Sequence, residues 1–280
     1  MNKINSFAVL GGDKRLIYCG RSMQEDGYSV FFCGFEKCEE ELSAEPCKPI
    51  ELINNCDAII LPLPCTRDGA FISTPFSDKP LPVSLLAEAA GFKPVFCGMS
   101  EKLPFSGKNI FDYSKVEGFA AENAILTAEG AIELAMRETD NTINGSDCLV
   151  TGSGRIARVL CSMLKGLGAR VTAAARNAEA RVLLKAEGIN AVSISDMGNR
   201  YDIIFNTVPS MLFDRKILKA LEGSPLITDL ASAPYGVDIN AAQALGLRAV
   251  RALSLPGKTA PKKAGIIIKN AVYHILGEEL

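Results

Sequence analysis

Apolar and polar positions along the chain follow two alternating periods. Short apolar runs of strand length are separated by stretches in which apolar residues recur at helical spacing. This alternation predicts a parallel sheet covered by helices. In the first half, strands are expected at residues 7–10, 29–34, 57–63, 93–97 and 109–112, with helices notably at 14–25 and 82–90. From about 116 to 138 the pattern is helical throughout, carried by Phe119, Ala120, Ala124, Ile125, Ala131, Ile132, Leu134 and Ala135. A second series of strands is expected at 147–151, 170–174, 190–194, 202–207, 225–230 and 248–253. A loop at 254–260 and a last helix over about 261–276 follow. The expected plan is an α/β protein with two parallel-sheet domains facing a cleft. The first covers 1–125 and the second 126–255, joined by a helical connector at about 126–140; a C-terminal segment, 256–280, packs across the junction.

One segment points to chemistry in the second domain. Residues Gly152-Ser153-Gly154-Arg155-Ile156-Ala157 read Gly-x-Gly-x-x-Ala, directly after the apolar run Cys148-Leu149-Val150. The helix that follows places Ile156, Val159, Leu160, Met163, Leu164 and Leu167 on one face. A dinucleotide pyrophosphate needs this context. Gly152 permits a tight turn, Gly154 lets the backbone approach the phosphates, and Ala157 seats the helix near the sheet. The free N–H groups at the helix start, around Ser153, Arg155 and Ile156, face the anion. The domain is therefore expected to be Rossmann-like, and the first domain flavodoxin- or Rossmann-like. The next strand runs into Arg176 where NAD-selective sites carry an acid for the ribose 2′-hydroxyl. A guanidinium suits a 2′-phosphate, so the expected cofactor is NADP. The bland alternative is a solvated arginine beginning a helix that Asn177 caps. Asn206, Thr207, Val208 and Pro209 end the strand past which the cofactor ribose runs, and Asp229-Leu230-Ala231-Ser232 ends the next; Ala231 joins the cofactor-binding set.

Other polar groups cluster at expected strand ends, where α/β sheets bind ligands. They are Asp13 and Arg15 after Gly11-Gly12, and Thr66-Arg67-Asp68 after the apolar run 61–64. Thr127, with Glu129 close behind, reads as a helix cap or a ligand hydroxyl, capping being favoured. The final helix opens with Lys258, Lys262 and Lys263 around Pro261. Lysines oppose the helix dipole at that end, which suggests an anion that offsets them. Solvent-exposed lysines in a loop are the competing account for Lys258 and Lys263.

Composition narrows the classes. The chain of 280 residues is 48% hydrophobic with a formal charge of -2, and no basic block suggests nucleic acid or a membrane surface. No apolar run approaches a membrane span, and residues 1–10 hold no signal-peptide core, so a cytoplasmic protein is expected. Nine cysteines show no disulfide framework and no Cys-x-x-Cys, and read as reduced, packed side chains. With His274 the only histidine, a zinc site or a hydrolase with a histidine base is disfavoured.

Together, several segments resemble the dipicolinate synthase A-subunit family of spore-forming bacteria over nearly the whole chain. They are Gly11-Gly12-Asp13, Leu61-Pro62, Glu129-Gly130-Ala131, the run from Thr139 to Ser146, Gly152-Ser153-Gly154-Arg155 and Ala175-Arg176. Further on come Asn206-Thr207-Val208-Pro209, Asp229-Leu230-Ala231-Ser232, Leu255-Pro256-Gly257, Ala260-Pro261-Lys262 and Ala264-Gly265. Two positions depart: family members commonly carry glycine at Tyr235 and an aliphatic residue at Lys258. The resemblance implies NADP-dependent oxidation of a dihydrodipicolinate-type intermediate of the lysine pathway to pyridine-2,6-dicarboxylate. It also implies a flavoprotein-like partner, the dipicolinate synthase B-subunit, and the sequence is compatible with a homo-oligomer. A dicarboxylate substrate wants two cationic anchors, for which Arg67 and Lys262 are the candidates, with Thr66, Arg15, Thr127 and Lys258 as further substrate-binding groups. Lys262 and Asp13 both remain candidates for the base that removes a proton. The rival readings are a shikimate- or 2-hydroxyacid-type dehydrogenase and a non-catalytic NADP-binding subunit. The hydroxyacid chemistry needs a histidine in the cleft, where His274 is badly placed.

Overall fold

A computed structural model describes residues 4–38, 49–89 and 92–278; Cys47 and Ala90 lie outside them. The chain divides into two compact units, one of residues 1–123 with 260–280, the other of residues 124–259. The first unit contains β1 (Ser6–Leu10), α1 (Lys14–Glu25), β2 (Ser29–Cys33), α2 (Pro49–Asn55), β3 (Ala58–Ile60), α3 (Leu85–Ala89), β4 (Val95–Cys97) and β5 (Ile110–Asp112). Helix α4 (Glu117–Glu138) begins in this unit and continues in the second. The second unit continues with β6 (Asp147–Thr151), α5 (Arg155–Gly166), β7 (Arg170–Ala174), α6 (Ala178–Ala186), β8 (Asn190–Val192) and β9 (Ile203–Asn206). It closes with α7 (Arg215–Ala220), β10 (Leu226–Asp229), α8 (Ile239–Ala244), β11 (Ala249–Arg251) and α9 (Leu255–Thr259). The chain then returns to the first unit as α10 (Pro261–Glu278).

Both sheets are parallel, in the order β2-β1-β3-β4-β5 and β11-β10-β9-β6-β7-β8. The first is the flavodoxin-like order and the second the Rossmann order, so the switch points fall at β1/β3 and β6/β9. The central strands are apolar along their length: Phe7, Ala8 and Val9 are fully buried, as are Cys148, Leu149 and Val150. That is the pattern of strands covered on both faces. In the second unit, one face carries Ala131, Ala157, Leu160 and Leu164 from α4 and α5. The other carries Phe213, Leu218, Ala241 and Ala242 from the α7–α8 side.

Two sequence readings change here. Of the apolar run 57–63, only Ala58–Ile60 forms strand β3; Leu61 N–H still donates to Phe96 O at 2.8 Å, and the ladder ends at Pro62, which has no N–H to give. The stretch 254–260, expected as a loop, folds its middle into the short helix α9, with the Thr259 hydroxyl donating to Leu255 O at 3.0 Å. The C-terminal helix belongs to the first unit, where α10 lies along α1. Gly265 makes that approach possible: a Cβ there would meet Cys19 N at 2.7 Å and Tyr18 Cβ at 2.8 Å, and would run into the Arg15 carbonyl. Further along, Lys269 Nζ reaches Asp26 at 2.7 Å and the Tyr273 hydroxyl donates to the same carboxylate at 2.9 Å. The two helices therefore run in the same direction, and their N-termini share one end of the unit.

The eight described cysteines are all free thiols, and all but Cys38 are buried. Burial pushes the thiols of Cys19, Cys148 and Cys161 up to about 12, so they are packed as small apolar side chains. Among the described residues no helix is long and apolar enough to cross a membrane.

Gly265→Ala should destabilise the protein by about 1–3 kcal/mol through overpacking against backbone atoms. Gly166→Ala, where a methyl meets nothing within 4 Å, should leave stability unchanged or slightly raised. Urea unfolding of both variants checks this, and equal midpoints would contradict the α1–α10 packing.

Candidate functional site

In the second unit, the edge formed by the carboxyl ends of the strands is organised around the turn after β6. Gly152 has φ +111°, and a Cβ there would collide with the Thr207 hydroxyl, which donates to Thr151 O at 2.8 Å. Glycine is therefore required twice over, by the backbone and by the neighbour. Gly154 is the N-cap of α5, in extended conformation and with no side-chain cap. The space where its Cβ would point is open. The first turn of α5 thus presents N–H groups past a bare backbone, the arrangement that accepts a pyrophosphate. Ser153 is half-buried and Arg155 exposed at this edge, while Ala157 is buried against the sheet and the Ile156 side chain packs on the core.

Behind the turn lies a buried polar network. The Thr151 hydroxyl donates to Asn206 Oδ1 at 2.6 Å. Asn206 Nδ2 donates to Asp229 Oδ1 at 2.8 Å and Val208 O at 3.1 Å. Asp229, fully buried, also accepts the N–H groups of Ala231, Gly236 and Val237. Asn206 and Ala231 were expected to touch a cofactor. The structure places both inside, where Asn206 bonds to Asp229 and the Val208 carbonyl and Ala231 is 3% exposed. They shape the ligand edge from below. Sequence reading did not single out Thr151 or the Asp229 carboxylate for this task; the signal was two polar residues ending otherwise apolar strands.

At the end of β7, Arg176 is exposed, and its Nη2 lies 3.4 Å from Ser210 Oγ, across from the segment after β9. Asn177 caps α6 by accepting from Glu179 and Ala180 N–H. Arg181 turns back to donate to the carbonyls of Ala175 and Arg176 at 2.8 and 2.7 Å, which holds the end of β7 in place. Val208 is half-buried and Pro209 exposed on the same edge.

In the first unit, the switch-point loops after β1 and β3 are tied together by Arg15. Its guanidinium is buried, donating to both Asp13 oxygens and, at 2.7 Å, to Leu63 O. Burial alone would lower the Arg15 pKa, but the Asp13 hydrogen bonds outweigh it and hold it above the ordinary value. Asp13 also caps α1 by accepting Arg15 N–H. Thr66 is fully buried, its hydroxyl spent on Asp68 and on the Gly69 N–H. Asp68 in turn accepts from Ala70 and Phe71 N–H, which holds its carboxyl below the usual range. Arg67 is left exposed, with no ion pair among the described residues, and lines a cavity of about 320 Å³ with Phe71, Ser73 and Thr74. Gly11 closes on that cavity, since its Cβ would sit 2.8 Å from Ser73 O and Thr74 Cγ2.

Lys262 lies exposed in the first turn of α10, at the end of the unit shared with the start of α1, again with no ion pair among the described residues. Lys263 pairs instead with Glu122 at 3.1 Å. Lys258 is exposed on α9, in the second unit. Thr127 is buried in the interior of α4, so it caps no helix, contrary to expectation: the helix begins ten residues earlier, at Glu117. His274 lines a different cavity, with Asp112 and Lys115. Among the described residues no cluster is suited to a metal ion.

Residues 6–104 match the family model for the N-terminal domain of the dipicolinate synthase A-subunit. Residues 121–223 match that for the D-isomer specific 2-hydroxyacid dehydrogenase NAD binding domain. Fold and site thus define an oxidoreductase of the dehydrogenase type, with a nicotinamide-dinucleotide domain as its second unit. The dipicolinate synthase A-subunit of Bacillus subtilis (strain 168) is 31% identical over 283 residues, covering 97% of this chain and 95% of that protein. The chain belongs to the dipicolinate synthase A-subunit family. The crystal structure of the A-subunit from Bacillus halodurans superposes with a TM-score of 0.86 at 26% identity, over 98% of both chains. That of its Bacillus subtilis counterpart gives 0.83 at 30% identity, over 99% of this chain and 97% of the other. Salmonella D-lactate dehydrogenase shares the fold, with a TM-score of 0.64 at 16% identity over 98% of each chain.

The two glycines of the loop should separate in experiment. Gly152→Ala should lose stability and cofactor binding together. Gly154→Ala meets no atom and keeps an allowed φ, so it should unfold like wild type while binding dinucleotide about tenfold more weakly, near 1.4 kcal/mol. Thermal melts beside dinucleotide titrations distinguish the two; wild-type affinity in Gly154→Ala would remove the phosphate from this turn.

Proposed function

We propose that this chain oxidises a dihydrodipicolinate-type intermediate to pyridine-2,6-dicarboxylate with NADP as acceptor, working as the A-subunit of dipicolinate synthase beside a flavoprotein-like B-subunit. The observation that carries the NADP reading is Arg176. It stands where an acid would bind a ribose 2′-hydroxyl, and its guanidinium meets the Ser210 hydroxyl rather than a carboxylate. Arg176 and Ser210 would hold the 2′-phosphate, and the N–H groups at the start of α5 the pyrophosphate. When bound, the nicotinamide supplies the hydride acceptor.

The chain's own residues bind and orient. Arg67 and Lys262 are cations of the first unit without ion-pair partners among the described residues, and the reading gives each a substrate carboxylate. Arg67 does not pair with Asp68, whose Oδ1 serves the turn. Phe71, beside Arg67 in the 320 Å³ cavity, offers an apolar surface to a ring. Asp13 has both oxygens engaged by Arg15, so it acts as a cap and orienter. Lys262 is then committed to a carboxylate as a cation, and the proton released on aromatisation passes to solvent at the exposed edge. Hydroxyacid-type chemistry is the weaker reading because His274 shares no cavity with Arg67.

A coupled assay from pyruvate and aspartate semialdehyde, following dipicolinate with NADP, with and without the B-subunit, tests the reaction. Binding of NADP without turnover even with the partner would favour a non-catalytic subunit. Wild type should bind NADPH about tenfold or more tightly than NADH, and Arg176→Ala should erase the difference by weakening NADPH alone. Lys262→Ala should lower kcat/KM roughly tenfold or more with cofactor affinity unchanged. Arg67→Lys, which keeps the charge but loses the planar fork, should also impair turnover. Wild-type kinetics in both would return these cations to the solvated surface.

A further inference from the structure

The loop after β10 holds an aromatic residue in a conformation that costs energy. Tyr235 has φ +69°, a left-handed backbone that a bulky side chain adopts only when its surroundings impose it. The surroundings do so on both sides. On the backbone side, the turn is closed by Tyr235 N–H donating to Ser232 O at 2.9 Å, and the next two N–H groups, of Gly236 and Val237, are held by buried Asp229. On the side-chain side, the Arg251 guanidinium lies over the ring, 3.7 Å from its centroid. Arg251 is itself fixed, donating to Val237 O at 3.3 Å and standing 3.9 Å from the Asp229 carboxylate.

The position of this unit on the sheet tells what it faces. The pyrophosphate turn is at β6, and Arg176, at the end of β7, marks the side that takes the adenosine ribose. The other half of a dinucleotide must run the opposite way, over the carboxyl ends of β9 and β10. Tyr235 and the exposed segment Ser232, Ala233 and Pro234 stand at the end of β10. The ring remains only half-buried despite the arginine above it.

We propose that Tyr235, clamped by Arg251, is a positioning residue that forms one wall of the pocket for the nicotinamide ring. The inference rests on the nicotinamide-dinucleotide reading of the second unit, not on which substrate is oxidised. An aromatic wall contributes through contact with a flat ring, and the arginine clamp keeps it from swinging away, so the ordering cost is met before the cofactor arrives.

The test compares NADPH with 2′-phospho-ADP-ribose, which has the same adenosine half and pyrophosphate but no nicotinamide, on the intact chain. Tyr235→Gly should weaken NADPH about fivefold and leave the truncated ligand within about twofold of wild type. Its Tm should be unchanged or higher, because glycine relieves the left-handed backbone. Tyr235→Phe keeps the ring and should bind NADPH like wild type. Arg251→Lys keeps a charge near Asp229 but no planar face, and should weaken NADPH selectively. Equal loss for both ligands, or no loss for NADPH in Tyr235→Gly, overturns the proposal; so does a Tyr235→Phe variant as weak as Tyr235→Gly. If wild type binds the truncated ligand and NADPH equally well, the nicotinamide meets no wall and the proposal fails while the dinucleotide site stands. If wild type binds neither, the dinucleotide reading fails with it.

Discussion

Three polar side chains, Thr151, Asn206 and Asp229, end three adjacent strands of the second sheet in a place water does not reach. Buried polar groups must find partners or destabilise the fold, and a buried carboxylate most of all. Here each answers the next, from the Thr151 hydroxyl through the Asn206 amide to Asp229, and Asp229 then gathers the N–H groups of the chain beyond it. Because the bonds run across the sheet, they set the height of three strand ends together. The glycine turn after β6, the segment after β9 and the loop carrying Tyr235 all take their positions from that row. Mutating one partner would leave the others buried and unsatisfied, which costs more than the bond itself.

The first unit solves a similar problem with a different pair. Arg15 is buried, and its guanidinium is neutralised by Asp13 and closed off by the Leu63 carbonyl. The pair links the two loops that flank the switch point between β1 and β3. Its strength lies in geometry, since the planar fork matches a carboxylate with two parallel bonds. Arg67 and Lys262, by contrast, are exposed and make no ion pair among the described residues. Their exposure is what the proposed substrate binding requires: an arginine already paired has little left for a ligand.

Much of this was legible in the order of residues. Strand and helix periods placed the eleven strands of the two sheets in sequence, and α1, β6 and β7 match their expected bounds. The Gly152 turn could be read because glycine, a preceding apolar run and a following amphipathic helix lie within about twenty residues of one another. Asn177 as a cap was equally local. The strand ends were read too long wherever proline or a polar terminus stopped pairing, as at Pro62.

What the chain by itself determined is therefore the local physics: periodicity, turns that only glycine fits, caps, and the charge left over at helix starts. What tertiary structure decided is which polar groups are free to act. Asp13 and Arg15 read alike as site residues, yet packing brings them together and uses them up. Thr66 and Arg67 are neighbours, but one is sealed inside a turn and the other faces a cavity. The C-terminal helix joins the first unit because Gly265 lets two helices touch, a fact about distance between residues some 250 positions apart. Whether a charge binds a ligand or a neighbour depends on what folding brings within hydrogen-bond reach, and that is set by contacts no stretch of sequence contains.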